Sequence, residues 1–168
     1  MKNNRRIGLI VIVVLTVAAV AQQEQGAEQT LRHYIELRLN WADWKDYSRF
    51  ITWPDEPGWD CWWVAKGYEV GKVAVRRNTA TIPVTYSRVG RFCADFQLEI
   101  QSQSETIVYE LIHQRGRWKI NGPVPDYPYI SQDALAKWLA QRSSDPKESE
   151  TLREQARQTL QKLQKQRN

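Results

Sequence analysis

Few side chains in this 168-residue chain can move a proton, and they are scattered. His33 and His113 are its two imidazoles. Asp95, Glu99 and Glu110 fall in stretches that alternate apolar and polar residues, and so do Tyr86 and Tyr109. An acid beside a phenol suits proton abstraction next to a carbonyl. The carboxylate takes the proton and the phenol donates to the developing oxyanion. In the alternation Asp95 and Glu99 share one strand face, while Tyr109 and His113 share the face opposite Glu110. No motif pairs them, so Asp95, Glu110, His113 and Tyr109 stand as catalytic candidates without assigned roles. Each has a plainer use: Glu110 can pair across strands with Arg88 or Arg91, and His33, beside Tyr34 on an amphipathic helix, reads as a residue at the boundary of its apolar face.

A second chemistry is recognition by ring stacking. The stretch WADWKDYSRFITWPDEPGWDCWW, residues 41–63, holds six of the eight tryptophans, five acids and a cysteine. Trp41 and Trp44 fall at helical spacing with Tyr47, Phe50 and Ile51, which reads as core. Trp53, Trp59, Trp62 and Trp63 lie in or beside a loop marked by Pro54, Pro57 and Gly58, close to Asp55, Glu56 and Asp60. Aromatic platforms flanked by carboxylates grip sugars and peptides, and aromatic side chains also fill cores, each removing about 150–250 Å² from water. These four tryptophans and Tyr86 are the candidate ligand-binding residues. The expected partner is a small molecule, glycan or peptide. The spacing of Asp55, Glu56 and Asp60 matches no calcium loop. No zinc-like ligand cluster exists, so neither metal nor cofactor is expected.

The N-terminus carries an address. Lys2, Arg5 and Arg6 precede an apolar run, Ile7 to Val20, and Ala19-Val20-Ala21 offers the small residues a signal peptidase reads. A run of about 14 residues is short for a membrane span, which needs roughly 20. The expectation is a cleaved leader over 1–21 and an exported, periplasmic or secreted protein, with a membrane partner only if the leader stays. Export means an oxidising compartment, where Cys61 and Cys93 most simply form one disulfide.

The formal net charge of +5 is unevenly placed. Residues 142–168 hold seven bases and four acids, while residues 22–141 hold 14 bases and 15 acids. A body so balanced does not predict nucleic-acid binding.

The elements that must position these side chains follow from periodicity. Ala27, Leu31, Tyr34 and Ile35 predict a helix over 27–40, behind a soft lead-in at 22–29. A short helix spans 42–51 and ends before Trp53-Pro54. The period then changes to two. Extended chain over 63–76 is broken at Gly67 and Gly71. A strand follows over 80–86, with Pro83 at an edge or bulge. A turn is expected at Val89–Arg91, a strand over 92–100, a polar turn over 101–105, a strand over 107–113 and a last strand over 117–120. Residues 121–128 form a proline-rich exit. Ser131 caps a helix carrying Leu135, Trp138 and Leu139. Asp145-Pro146-Lys147-Glu148 starts a tail helix with a thin stripe of Leu152, Ala156, Leu160 and Leu163.

Helices followed by a run of antiparallel strands is an α+β order. N-terminal helices should pack on a curved antiparallel sheet, with a helical extension at the C-terminus. The long first helix, the aromatic second helix, the hairpin IPVTYSRVG and the ending ETIVYELIHQRGRWKING resemble the nuclear transport factor 2-like superfamily, a cone-shaped fold. The resemblance covers about residues 27–122. It implies a domain over 22–141 followed by a helical tail over 142–168. It carries no chemistry of its own, because the superfamily hosts enzymes, binding modules and accessory domains alike. The first expectation is a non-enzymatic binding or accessory module that uses the cone pocket and the Trp loop. The alternatives are an isomerase- or dehydratase-like enzyme with an acidic base in the cone, and a structural protein docking through the sheet or the tail. The superfamily habit of pairing through the open sheet makes a homodimer an expected partner too.

Overall fold

The computed structural model describes residues 4–55 and 58–166, with side chains from Ala21 onward. Residues 1–20 of the expected leader, and Glu56, lie outside the described side chains. Among residues with described side chains, no helix is long and apolar enough to cross a membrane.

Helix α1 runs unbroken from Asn4 to Leu39. The lead-in QQEQGAEQ is therefore helical, as its glutamines, glutamates and alanine favour. Ala27, Leu31, Tyr34, Ile35 and Leu39 are buried at the expected spacing. The chain reverses at Trp41 through a positive φ of 60°. The short second helix is α2 (Trp44–Tyr47), and a single 3-10 turn over Ser48–Phe50 follows it.

Six strands then form one strongly curled sheet, a half-barrel. They are β1 (Cys61–Val70), β2 (Ala74–Arg76), β3 (Thr79–Cys93), β4 (Leu98–Gln114), β5 (Arg117–Gly122) and β6 (Tyr129–Ser131). Their order is β5-β4-β3-β1-β6, with β2 on β3. Pairing is antiparallel except at one edge, where β6 runs parallel to β1. The proline-rich exit thus returns to the sheet.

Two expected turns are absent. Val89–Arg91 lies inside β3, where a bulge between Arg88 and Gly90 interrupts the register with β4. Gly90 serves this bulge rather than a turn, since a Cβ there would stand 2.0 Å from the carbonyl oxygen of Glu99. The expected polar turn over 101–105 is the middle of β4, and the real reversal falls at 94–97. Asp95 stands in that reversal, where its Oδ1 accepts from the Gln97 N–H at 3.2 Å.

The bulge switches β3 from one core to another. On the inner face, Ala80, Ile82, Val84 and Tyr86 pack with Tyr109, Leu111, Ile120 and α1. On the outer face, Val89, Phe92 and Leu98 pack with Val64, Ile130 and two C-terminal helices, α3 (Gln132–Ser144) and α4 (Glu150–Gln164). Ser131 caps α3 as expected, its Oγ accepting from the Ala134 N–H. The cap of α4 is Ser149, not Asp145, and the chain before it turns at Asp145. The tail helix docks on its own domain: Ala156 and Leu163 are buried, the Thr159 hydroxyl donates to the Phe96 carbonyl at 2.7 Å, and Gln132 Nε2 donates to the Leu163 carbonyl at 3.1 Å. A Cys61–Cys93 disulfide joins β1 to β3 between directly opposed residues.

Candidate functional site

Phenols fill the inside of the curl. Tyr86 and Tyr109 come from opposed strands and share a hydrogen bond of 2.9 Å. Tyr129, on β6, stacks on Tyr86 with centroids 3.9 Å apart and planes 11° from parallel. Its hydroxyl donates to Glu105 Oε2, which also accepts from Arg88 Nη1 at 2.9 Å. Arg88 is buried and lies over the Trp63 ring at 3.8 Å. Among the described residues its Nε finds no acceptor.

Burial, with Tyr109 alongside, holds the Tyr86 phenol well above its ordinary pKa. Burial raises Tyr109 as well. It also raises Tyr129, with the bond to Glu105 adding to the effect. All three are neutral donors near pH 7 and not bases. The remaining space beside them is about 10 Å³, enough for one water at most. The interior of the curl is a polar-laced core.

The proton-transfer candidates are not gathered here. Asp95 lies in the β3–β4 turn, and Glu110 is exposed on the outer face of β4. His113 sits near the far end of β4, its ring 5.1 Å from that of Trp118. Tyr109 alone reaches the interior. Glu99 pairs with Arg91 on the surface at 2.8 Å. The acid that does meet a tyrosine and an arginine is Glu105. It belongs to the alternation Glu105, Ile107, Tyr109, Leu111, and reading 101–105 as a turn hid it.

The tryptophans part company. Trp53 and Trp63 pack against the inner core, Trp63 under Arg88 and beside Tyr127. Trp62 points to the other face, 5.3 Å from Trp41 and 6.2 Å from Phe92. Trp59 is fixed by its indole N–H, which donates to the Pro125 carbonyl at 3.3 Å, and by Arg38 5.0 Å from its ring. The result is a pocket of about 400 Å³ between the α1–α2 turn, the Trp loop and the start of β6. Trp41, Trp44, Trp59 and Trp62 line it, with Arg38 and Asp43 as its charged groups. None of the four indoles is fully buried or fully exposed. Trp59 and Trp62 come from the predicted platform. Trp41 and Trp44, expected in the core, bring the other two rings because the positive φ at Trp41 turns the chain out of the helical stripe.

This chemistry is stacking and orientation. Ring faces take a flat apolar surface, and a guanidinium and a carboxylate at the rim supply direction. Among the described residues no group of three or more His, Cys, Asp or Glu could hold a metal. No family model, curated protein or solved structure matches the chain.

Proposed function

We propose that the protein is an exported binding or accessory module that holds a small ring-shaped ligand in the tryptophan pocket. One observation carries this reading: four indoles converge on a pocket of about 400 Å³, while the inside of the curled sheet is filled. That volume lies within the roughly 300–1,000 Å³ typical of ligand sites. A sugar ring or a planar side chain of a peptide meets the demand for a flat face with polar edges. Support for export comes from the leader-like N-terminus and from the disulfide, a bond that persists in oxidising compartments. Support for membership in the nuclear transport factor 2-like superfamily comes from α1 lying across a curled sheet that ends in RGRWKI.

Titration of the protein with chitotriose and with a tyrosine-containing hexapeptide, by calorimetry, tests the reading. Binding of one probe should weaken about tenfold or more in Trp59→Ala, in line with the loss of a stacked aromatic anchor. Trp53→Phe should bind as the native protein does. Equal losses in both variants, or no heat with either probe, would overturn the assignment.

A further inference from the structure

We infer that the end of the domain opposite the tryptophan pocket docks on an anionic lipid surface, through a basic aromatic hollow formed where α1 enters. Two hairpin turns meet there. The His113 N–H, near the end of β4, donates to the Asn78 carbonyl in the β2–β3 turn at 2.7 Å, which brings that turn beside the β4–β5 turn. The two turns display Arg76, Arg77, Arg115 and Arg117, all exposed. Among the described residues none of the four is in an ion pair. Arg77 and Arg115 hold φ values of 56° and 51°, left-handed positions where glycine or asparagine is cheaper by about 1 kcal/mol.

Between these tips and α1 lies a hollow of about 460 Å³, lined by Gly26, Arg49, Phe50, Gly116, Arg117 and Trp118. A Cβ on Gly26 would come within 3.4 Å of Trp118, so the helix can lie close to the ring. Arg49 lies 4.8 Å above the Phe50 ring. Two guanidiniums beside the half-buried Phe50 ring, over a floor made by the buried Trp118, match a phosphodiester headgroup: charge for the phosphate, the Phe50 ring for the interface. Among the described residues four acids share this end, Asp46 three residues before Arg49, Glu110 on β4, and Glu24 and Glu28 on α1, with Glu28 held by Arg32, against the five arginines Arg49, Arg76, Arg77, Arg115 and Arg117. Asp43, Asp60 and Asp95 lie at the other end, around the pocket and the disulfide. The excess of arginine over acids at this end orients the molecule in an anionic field, basic end inward. The apolar run of residues 7–20 precedes this same end, since α1 is continuous through it. The nearly balanced net charge of the body conceals the arrangement, because a sum over residues has no direction.

The test is cosedimentation of the full chain with phosphatidylcholine vesicles, with and without phosphatidylglycerol, at low and high salt. Any pull from the apolar run and from Lys2, Arg5 and Arg6 is common to native and variant chains. Phosphatidylglycerol should raise native binding at low salt and lose that effect at high salt. Arg115→Gln with Arg117→Gln should remove roughly tenfold of the gain, as expected for two cations near a charged surface. The corresponding double lysine variant should restore it, which a folding defect does not allow. Lys137→Gln with Arg142→Gln, on α3, should leave it unchanged. The inference is overturned if the double glutamine variant keeps the full gain, if both vesicles bind equally, or if an oligonucleotide binds more tightly than the anionic vesicles.

Discussion

A methyl group on Gly90 would collide with backbone, not with a side chain that can swing away. Gly90→Ala is therefore predicted to cost at least about 2 kcal/mol, read as a lower urea midpoint with an unchanged slope. The phenols make a second prediction at this scale. Tyr86 and Tyr109 hold their protons more tightly folded than unfolded, because burial disfavours the phenolate. Their contribution is present in full below the unfolded pKa of about 10 and is lost as pH rises beyond it. Stability should fall above about pH 10 by up to roughly 1.4 kcal/mol per pH unit for each phenol. In Tyr86→Phe the slope should be shallower, and a pH series of thermal unfolding measures it. Some of these residues announced themselves and some did not. Tyr86 and Tyr109 stood out as buried members of alternating runs. Glu105 did not, because β4 is solvated on both faces over 101–104 and gives no apolar signal there. Tyr129 was hidden by the prolines before it, which read as an exit and instead bring a parallel edge strand to β1.

At the scale of elements, the tail helix and the disulfide both close the outer core. Leu163 is fully buried between α4 and the sheet, whereas Leu152, on the same stripe, is exposed. Leu163→Ala should cost about 2–5 kcal/mol and Leu152→Ala less than about 0.5, by chemical denaturation. Equal effects would mean that α4 does not dock as described. Replacing Cys61 and Cys93 by alanine opens a loop 32 residues apart in sequence and should cost about 3–4 kcal/mol. The helices were legible because apolar spacing and caps are local: Ala27 to Leu39 and Ser131 behaved as read. The hairpins were not, because a glycine between apolar residues signals a turn or a bulge equally well. Only the opposing backbone of Glu99 decides for the bulge at Gly90. The disulfide was legible from two cysteines alone, while its cross-strand register depended on where β3 ended. The thin stripe on the tail is visible in the sequence, but its partner, the outer face beyond the bulge, is not, because Gly90 interrupts the apolar pattern of the strand that carries it.

At the scale of the molecule, the two ends differ in chemistry. One gathers indoles, Arg38 and Asp43 around a pocket; the other gathers arginines and two rings where α1 enters. Between them the curl leaves only about 10 Å³ beside its phenols, so the proposed ligand site is the pocket and not the inside of the curl. The eight indole N–H groups report on this directly. In a ¹⁵N-labelled sample titrated with chitotriose and with the tyrosine hexapeptide, one probe should shift the indole resonances of Trp41, Trp44, Trp59 and Trp62. Those of Trp53 and Trp118 should stay in place. Shifts confined to Trp53, Trp63 and Trp118, or no shift with either probe, would contradict the account.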